Sequence, residues 1–405
     1  MTLVAESDSR EDVGSLAPDT ESPRVLLCGW YRGPKLGVGI YLEQLLTALG
    51  NAPETAQWTL ITNTNTLSQT SFSNWRGEIV TPAWLDKDFA RSLSFSIFSL
   101  PRWAEKKGYS AIVMLTNPVC LFSPIPVISV IHDLNEFATS QKYGFWRTLY
   151  RKRLMLPSAI HNSRRLIAVS ETTARQIRAV FGEATATRTA VIHNGVANVP
   201  VVESEIAATL RETNLSRDNY YLIPGRIDPR GKNLYKALEL FDALRAHHPE
   251  SHLVLIGGVD SFARSEAESF LNDIAGNPRW KGRVFYAGFV DEKTKACLYA
   301  GAKAVLFLSR HEGFGLPIVE AFSHGCPVIY NKDCGASCEI AGSAGIPVDD
   351  AMPMTEAAST VMSALSHASL AVLRPKMAEV AAQYSWSKAA RVYIDQIMAT
   401  ARRRG

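Results

Sequence analysis

Short apolar runs separated by helical patterns set the rhythm of this chain, and no other feature constrains its fold as tightly. In the first half Arg24–Gly29, Trp58–Thr62, Ala111–Leu115, Val127–Ile131, Leu166–Ser170 and Thr189–His193 read as buried strands. The second half repeats the rhythm at Tyr220–Pro224, His252–Ile256, Arg283–Ala287, Lys303–Leu308 and Pro327–Tyr330. Continuous, β-branched runs that alternate with helices belong to parallel sheets covered on both faces. Two such sets in succession predict an α/β chain of two doubly wound, Rossmann-like domains, with ligands at the carboxyl ends of the strands. The break falls near Asn198–Ser204, where the chain turns irregular after Val191-Ile-His-Asn-Gly195. The expected division is therefore a first domain over 24–198 and a second over 199–384. A final amphipathic helix over 385–405 is capped by Ser385.

Composition removes several classes of function. At 46% hydrophobic and 20% charged residues the chain has the make-up of a soluble enzyme. No apolar run reaches the ~18 residues that a membrane-spanning helix needs. Residues 1–23 carry six acids against Arg10, with neither the basic nor the apolar region of a secretory signal, and read as a disordered acidic tail. The six cysteines are scattered, without a metal-binding spacing, and suit reduced thiols in a cytoplasmic protein. Net charge is +4, but the tail holds −5, which leaves +9 on residues 24–405. Part of that excess is concentrated. No Asp or Glu occurs between Phe137 and Ser170, and residues 142–165 interleave Lys142, Arg147, Arg151, Lys152, Arg153, Arg164 and Arg165 with aromatic and aliphatic side chains. Such a stretch can rest on an anionic membrane, here the inner face, or meet a phosphate-bearing acceptor. The other reading is a solvated helix whose apolar side is core.

The densest chemistry lies in Ser309-Arg-His-Glu312-Gly-Phe-Gly-Leu-Pro-Ile-Val-Glu320. The segment leaves an apolar strand, crosses a Gly/Pro loop and enters a helix near Leu316. Gly313 and Gly315 let backbone amides approach a ligand, and Pro317 suits a first helical turn. The free N–H groups of a helix start favour anions, and a carboxylate flanks them on each side. Eight residues make just over two turns, so Glu320 lies on roughly the loop's face of the helix. The plainer reading is a solvated turn with a capping acid and a surface Glu.

Other positions add to this. Gly33-Pro-Lys-Leu-Gly37-Val-Gly39 precedes a helix over Leu42–Leu49 and can approach phosphate or sugar, yet it fits neither a dinucleotide fingerprint nor a P-loop. His132 follows the strand Val127–Ile131 and so sits at the ligand-facing end of its sheet, either to assist at a reacting carbon or tied to a backbone carbonyl. Arg226 and Lys232, in Gly225-Arg-Ile-Asp-Pro-Arg-Gly-Lys232-Asn, can reach a diphosphate or serve as solvated turn cations. Asp86-Lys-Asp88 resembles a metal-holding carboxylate pair, but its place before a helical pattern predicts capping acids and no metal site.

These motifs, in this order from Arg24 to Ile397, resemble retaining glycosyltransferases of the GT-B fold, family four, and in particular bacterial exopolysaccharide mannosyltransferases. The resemblance rests on Gly37-Val-Gly39, His132-Asp133, Val191–Gly195, Gly225-Arg226 to Lys232-Asn233, Gly288-Phe-Val-Asp291 and Glu312-x7-Glu320. It implies two domains facing a cleft, with the acceptor on the first and a nucleotide diphosphate sugar on the second. Arg226 and Lys232 would neutralise the leaving diphosphate. Glu312 and the amides of Gly313, Phe314, Gly315 and Leu316 would hold the donor sugar, and Glu320 the ribose. His132 would stand near the anomeric centre, Gly39 would touch the diphosphate, and the final helix would cross back to the first domain. The implied activity moves a hexose, by first choice mannose from GDP-mannose and otherwise from UDP-glucose or UDP-galactose, to a polysaccharide or lipid-linked oligosaccharide. Configuration is retained, without metal, cofactor or nucleic acid. Another GT-B enzyme (a sugar-nucleotide epimerase or a phosphorylase) and a non-catalytic sugar-nucleotide sensor are the alternatives. His311 stands where the family often has a small residue or Tyr, a departure that bears on the donor-sugar pocket.

Overall fold

The computed structural model describes residues 22–402 except 32–36, 70–73, 88, 117–120, 135–136, 138–148 and 260–263. Nearly all of the acidic tail, the first part of the basic stretch, Cys120, Asp88 and the leading part of the glycine loop therefore lie outside the described residues.

Two all-parallel sheets form the frame. The first has seven strands: β1 (Val25–Cys28), β2 (Trp58–Ile61), β3 (Glu78–Val80), β4 (Ala111–Met114), β5 (Val127–Ile131), β6 (Arg165–Ala168) and β7 (Thr189–Val191), in the order β3-β2-β1-β4-β5-β6-β7. The second has six: β8 (Tyr220–Pro224), β9 (His252–Ile256), β10 (Val284–Gly288), β11 (Ala304–Phe307), β12 (Val328–Asn331) and β13 (Ile346–Val348), in the order β10-β9-β8-β11-β12-β13. Every residue of β1, β4, β5, β8 and β11 is buried, which is why those runs are apolar throughout instead of alternating. Strand order reverses between β1 and β4 and again between β8 and β11, and crevices open at the carboxyl ends of such strand pairs.

Among the helices that pack on these sheets are α1 (Gly37–Gly50), α2 (Glu171–Phe181), α3 (Leu234–Arg245), α4 (Glu292–Gly301), α5 (Leu316–Ser323), α6 (Gly335–Ala341) and α7 (Trp386–Ala401). The chain passes between the halves twice, and the two passages lie side by side: Val196 N–H donates to Tyr384 O at 3.2 Å, and Val196 bridges Ser385. A Cβ at Gly195 would sit 2.1 Å from Trp386 N, so only glycine permits this backbone contact. From there α7 returns along α1. Tyr393 hydroxyl meets Tyr41 hydroxyl at 2.9 Å, Arg165 Nε donates to Gln396 at 2.7 Å, and Arg391 pairs with Glu54 at 3.3 Å. One hydrophobic cluster consequently runs through both halves, from Val25 and Tyr41 by way of Phe314 to Tyr393 and Ile397.

Asp86 accepts from the N–H groups of Thr64 (2.9 Å) and Asn65 (3.1 Å) and so caps the helix Thr64–Gln69. Cys28, Cys297, Cys326 and Cys334 are buried free thiols, and Cys338 is partly buried. Within the described part of the basic stretch, Met155 and Leu156 are core, Arg151 lies 3.8 Å from Asp133 and Lys152 covers the Phe137 ring, while Leu149 is 38% exposed. The first helix begins at Gly37, not Leu42, so Gly39 occupies its first turn and is buried there. Among the described residues no helix is long and apolar enough to cross a membrane.

Candidate active site

Beyond β8 the chain turns sharply at Gly225, and the next eight residues are organised by Asp228. Its carboxylate accepts from Gly231 N–H at 2.9 Å and faces Arg226 Nη2 at 3.2 Å, while its carbonyl accepts from Lys232 N–H. An Asp that bonds the backbone two or three residues on, followed by Pro and Gly, is a turn former. Asn233, at φ 54°, then starts α3. The result aims Lys232 across the sheet at Glu312, 2.5 Å away, with the ammonium over the Phe307 ring at 4.8 Å. Both side chains are mostly withdrawn from water, at 17% and 18% exposure, where screening is weaker than at an open surface. Arg310 N–H donates to Gly231 O, which ties the β8 and β11 loops together beside the pair.

Glu312 leads through Gly313 and the buried Phe314 to Gly315, which stands at φ 113° before α5. Pro317 is in the first turn, and no side chain caps the helix. An uncapped start leaves N–H groups for an anion or a polar ligand. Glu320, on the same helix, has its own supports: Lys295 Nζ at 2.9 Å on one oxygen and Tyr299 hydroxyl at 2.9 Å on the other. Lys295 also meets Glu292 at 2.9 Å. Burial works against the Lys295 charge, but Glu320 and Glu292 outweigh it and hold its pKa above the ordinary lysine value. Burial, and then the Glu320 charge, push the Tyr299 hydroxyl well above its usual pKa, so it stays a donor.

On the other half His132 follows β5, as its position in sequence requires. Its Nε2 lies 2.9 Å from Leu115 O, and its ring meets Tyr41 edge-on at 4.5 Å. A carbonyl can only accept, which assigns the proton to Nε2 and leaves Nδ1 with a lone pair. Burial lowers the pKa below the ordinary histidine value, so the ring is neutral at neutral pH. The His132 carbonyl packs against Gly313, where a Cβ would come within 1.8 Å of it, and glycine is needed for that approach too. Lys232, Glu312, Gly313 and His132 are thus gathered in one place, with Arg226 beside them through Asp228. Glu320 sits down the same helix with separate partners, and Gly39 is linked through Tyr41, two residues along α1.

Asp228, Lys295 and Tyr299 were not singled out from sequence. The Asp-Pro-x-Gly turn was a usable signal for Asp228. Lys295 and Tyr299, four apart on a helix that Asp291 caps through Lys293 and Thr294 N–H, share a helix face, but nothing local says that Glu320 lies opposite.

Two family models divide the chain as its two sheets do. Residues 37–197 match the model described as Glycosyltransferase Family 4, and residues 207–373 match Glycosyl transferases group 1. The chain is a GT-B glycosyltransferase of the family four type. Among relatives of this glycosyltransferase, O-antigen chain mannosyltransferase B of Escherichia coli is 25% identical over 223 residues, which is 55% of this chain and 57% of the relative. Poly(glycerol-phosphate) alpha-glucosyltransferase of Bacillus subtilis (strain 168) is 32% identical over 106 residues, 26% of this chain and 15% of that protein. The chain therefore spans little more than half of the first relative's length. Anabaena HepE, solved with UDP and glucose, superposes with a TM-score of 0.72 at 17% identity, covering 93% of this chain and all of the other (100%). WaaG, a glycosyltransferase involved in lipopolysaccharide biosynthesis, gives 0.65 at 14% identity, over 91% of this chain and 99% of the other. At such identities these structures speak for the fold.

Proposed function

We propose that this glycosyltransferase moves a hexose, by first choice mannose from GDP-mannose, onto a polysaccharide or lipid-linked oligosaccharide with retention of anomeric configuration. The observation that carries the reading is the Lys232–Glu312 pair, held at 2.5 Å beside the uncapped start of α5. Fixed cations beside free N–H groups, in a site with little water, stabilise charge as a leaving group departs. In this reading Arg226 and Lys232 neutralise the diphosphate, and Gly39 touches it from the first half. Glu312 and the amides of Gly313 to Leu316 hold the sugar near its 3- and 4-hydroxyls. Glu320, steadied by Lys295 and Tyr299, takes the ribose. Neutral His132 stands by the reacting carbon and the 6-hydroxyl.

Among the described residues we assign no carboxylate as a nucleophile, and the reading takes a front-face route. The bond from the anomeric carbon to the phosphate oxygen breaks toward an oxocarbenium-like state. The acceptor hydroxyl bonds to the same face, and its proton passes to the leaving phosphate. The protein cations supply the positive charge, so the reading asks for no metal and no cofactor. The acceptor lies against the first half, and the 142–165 stretch rests on the anionic inner face of a membrane that carries it.

The mannosyltransferase relative supports mannose as the sugar, whereas HepE, solved with UDP and glucose, supports a UDP-hexose as the second reading. A thermal-shift panel of GDP-mannose, UDP-glucose and UDP-galactose separates them, because a ligand at 100 times its Kd adds about 2.7 kcal/mol of stability. A shift with GDP-mannose alone is expected. A shift with a UDP-sugar changes the donor, and no shift with any of the three sinks the donor reading.

A further inference from the structure

The start of α2, in the first half, grips the second half at two points. Ser170 caps the helix by accepting from Thr173 N–H at 2.9 Å, and its own hydroxyl donates to Gly313 O at 2.6 Å. Thr173 Oγ1 reaches the same carbonyl at 3.1 Å. Both residues are fully buried. Alongside, Glu339 of α6 accepts from Glu171 N–H at 2.8 Å, Thr172 N–H at 2.7 Å and Thr172 hydroxyl at 2.8 Å, and faces His193 Nε2 at 2.8 Å. The first N–H groups of a helix have no partner within it, and its positive end favours a carboxylate. Here that carboxylate comes from the other half. Burial would raise the Glu339 pKa, yet His193 and the helix N–H groups together bring it below the ordinary value. His193 lies in the passage between the halves and contacts the Phe314 ring (6.0 Å) and the Tyr384 ring (5.5 Å), so the start of α2, the Glu312–Gly315 loop and that passage meet there.

We propose that the start of α2 is a clasp that couples closure of the cleft to the shape of the donor loop. Ser170 and Thr173 are positioning residues for Glu312 and Gly313, and Glu339 is the anchor. Closing the halves delivers two hydroxyls to the carbonyl that follows Glu312, and opening them withdraws both. The assignment of this loop to the donor rests on the function proposed above; the mechanical coupling does not.

Hydrogen exchange on the full-length chain, read by mass spectrometry without substrate, tests the coupling. Ser170→Ala and Thr173→Val should speed exchange in segment 309–323, across the cleft, while Thr173→Ser, which keeps the hydroxyl, should match wild type. Glu339→Gln should speed exchange over 171–175. Wild-type exchange in the opposite half for Ser170→Ala and Glu339→Gln overturns the clasp. Should a variant unfold, the Thr173 pair still decides, since its members differ only in hydroxyl and methyl groups. With transfer measurable, Ser170→Ala should lower kcat by about tenfold or more while the Kd for GDP or UDP stays within about twofold, as small misplacements of a positioned group predict. A weakened Kd with unchanged kcat overturns the positioning role. An inactive wild type retires the donor reading and leaves the exchange result standing.

Discussion

Lys232 and Glu312 stand 80 residues apart in sequence and 2.5 Å apart in space, and each limits the freedom of the other. Lys232→Ala removes a cation from the proposed diphosphate site and leaves Glu312 without its partner. Transfer should fall by about 10²–10³-fold in kcat/KM, the scale of losing one preorganised stabilising group. Activity within about twofold of wild type would end the diphosphate role. His132 makes a different kind of prediction. Its folded pKa lies below the ordinary value, mainly through burial, so the unfolded chain binds the proton more readily. The stability this contributes is complete above the unfolded value of about 6.5 and is lost as pH falls through the lower folded value. In urea unfolding at neutral and acidic pH, His132→Gln, which keeps a donor for Leu115 O, should show a shallower acid loss than wild type. Equal slopes would show that His132 titrates alike in both states. Lys232 and His132 stood out in the sequence because turn chemistry and strand ends are local signals. Glu339 did not, because its partners lie on another helix and in the passage between the halves, whereas Asp228 meets its partners within its own turn, where Asp-Pro-x-Gly is the available signal.

At the scale of elements, the long buried strands were legible because continuous hydrophobicity reports burial on two faces. The strands β3 and β13 escaped notice. Each has three residues at a sheet edge; β3 is largely unburied, and β13 carries Pro347, which a strand tolerates best at an edge. The start of α1 was misjudged by five residues because two glycines depress helix propensity, and packing against α7 overrides that preference. The α4–α5 pairing carries its own test. Tyr299→Phe removes one hydrogen bond to Glu320 while Tyr299's ring still stacks on His324. The loss of a buried hydrogen bond to a charged group should cost about 1.5–3 kcal/mol in denaturant unfolding and weaken GDP or UDP binding several-fold. Unchanged nucleotide affinity would separate Glu320 from the ligand.

For the whole molecule, α7 is the element that makes one body of two sheets. It buries Trp386, Tyr393, Ile394 and Ile397, each at 7% exposure or less. At about 1.5–3 kcal/mol for each such side chain, truncation after Gln383 should remove enough stability to lower Tm by at least roughly 10 °C. A truncated chain that melts with wild-type Tm would show that the halves hold without it. The aromatic face of this helix is visible in the sequence and the family resemblance implies its return to the first half, while the residues it meets there are not. The same division holds throughout. Strand rhythm, turn residues and helix starts act over a few positions, and from them follow the two parallel sheets and the loops that carry the chemistry. The Lys232–Glu312 pair, the supports of Glu320, the Leu115 bond of His132 and the Ser170–Gly313 and Glu339 contacts join groups from about 17 to 170 residues apart. Short polar contacts of that kind form only once burial has placed the elements, so tertiary structure alone decided them.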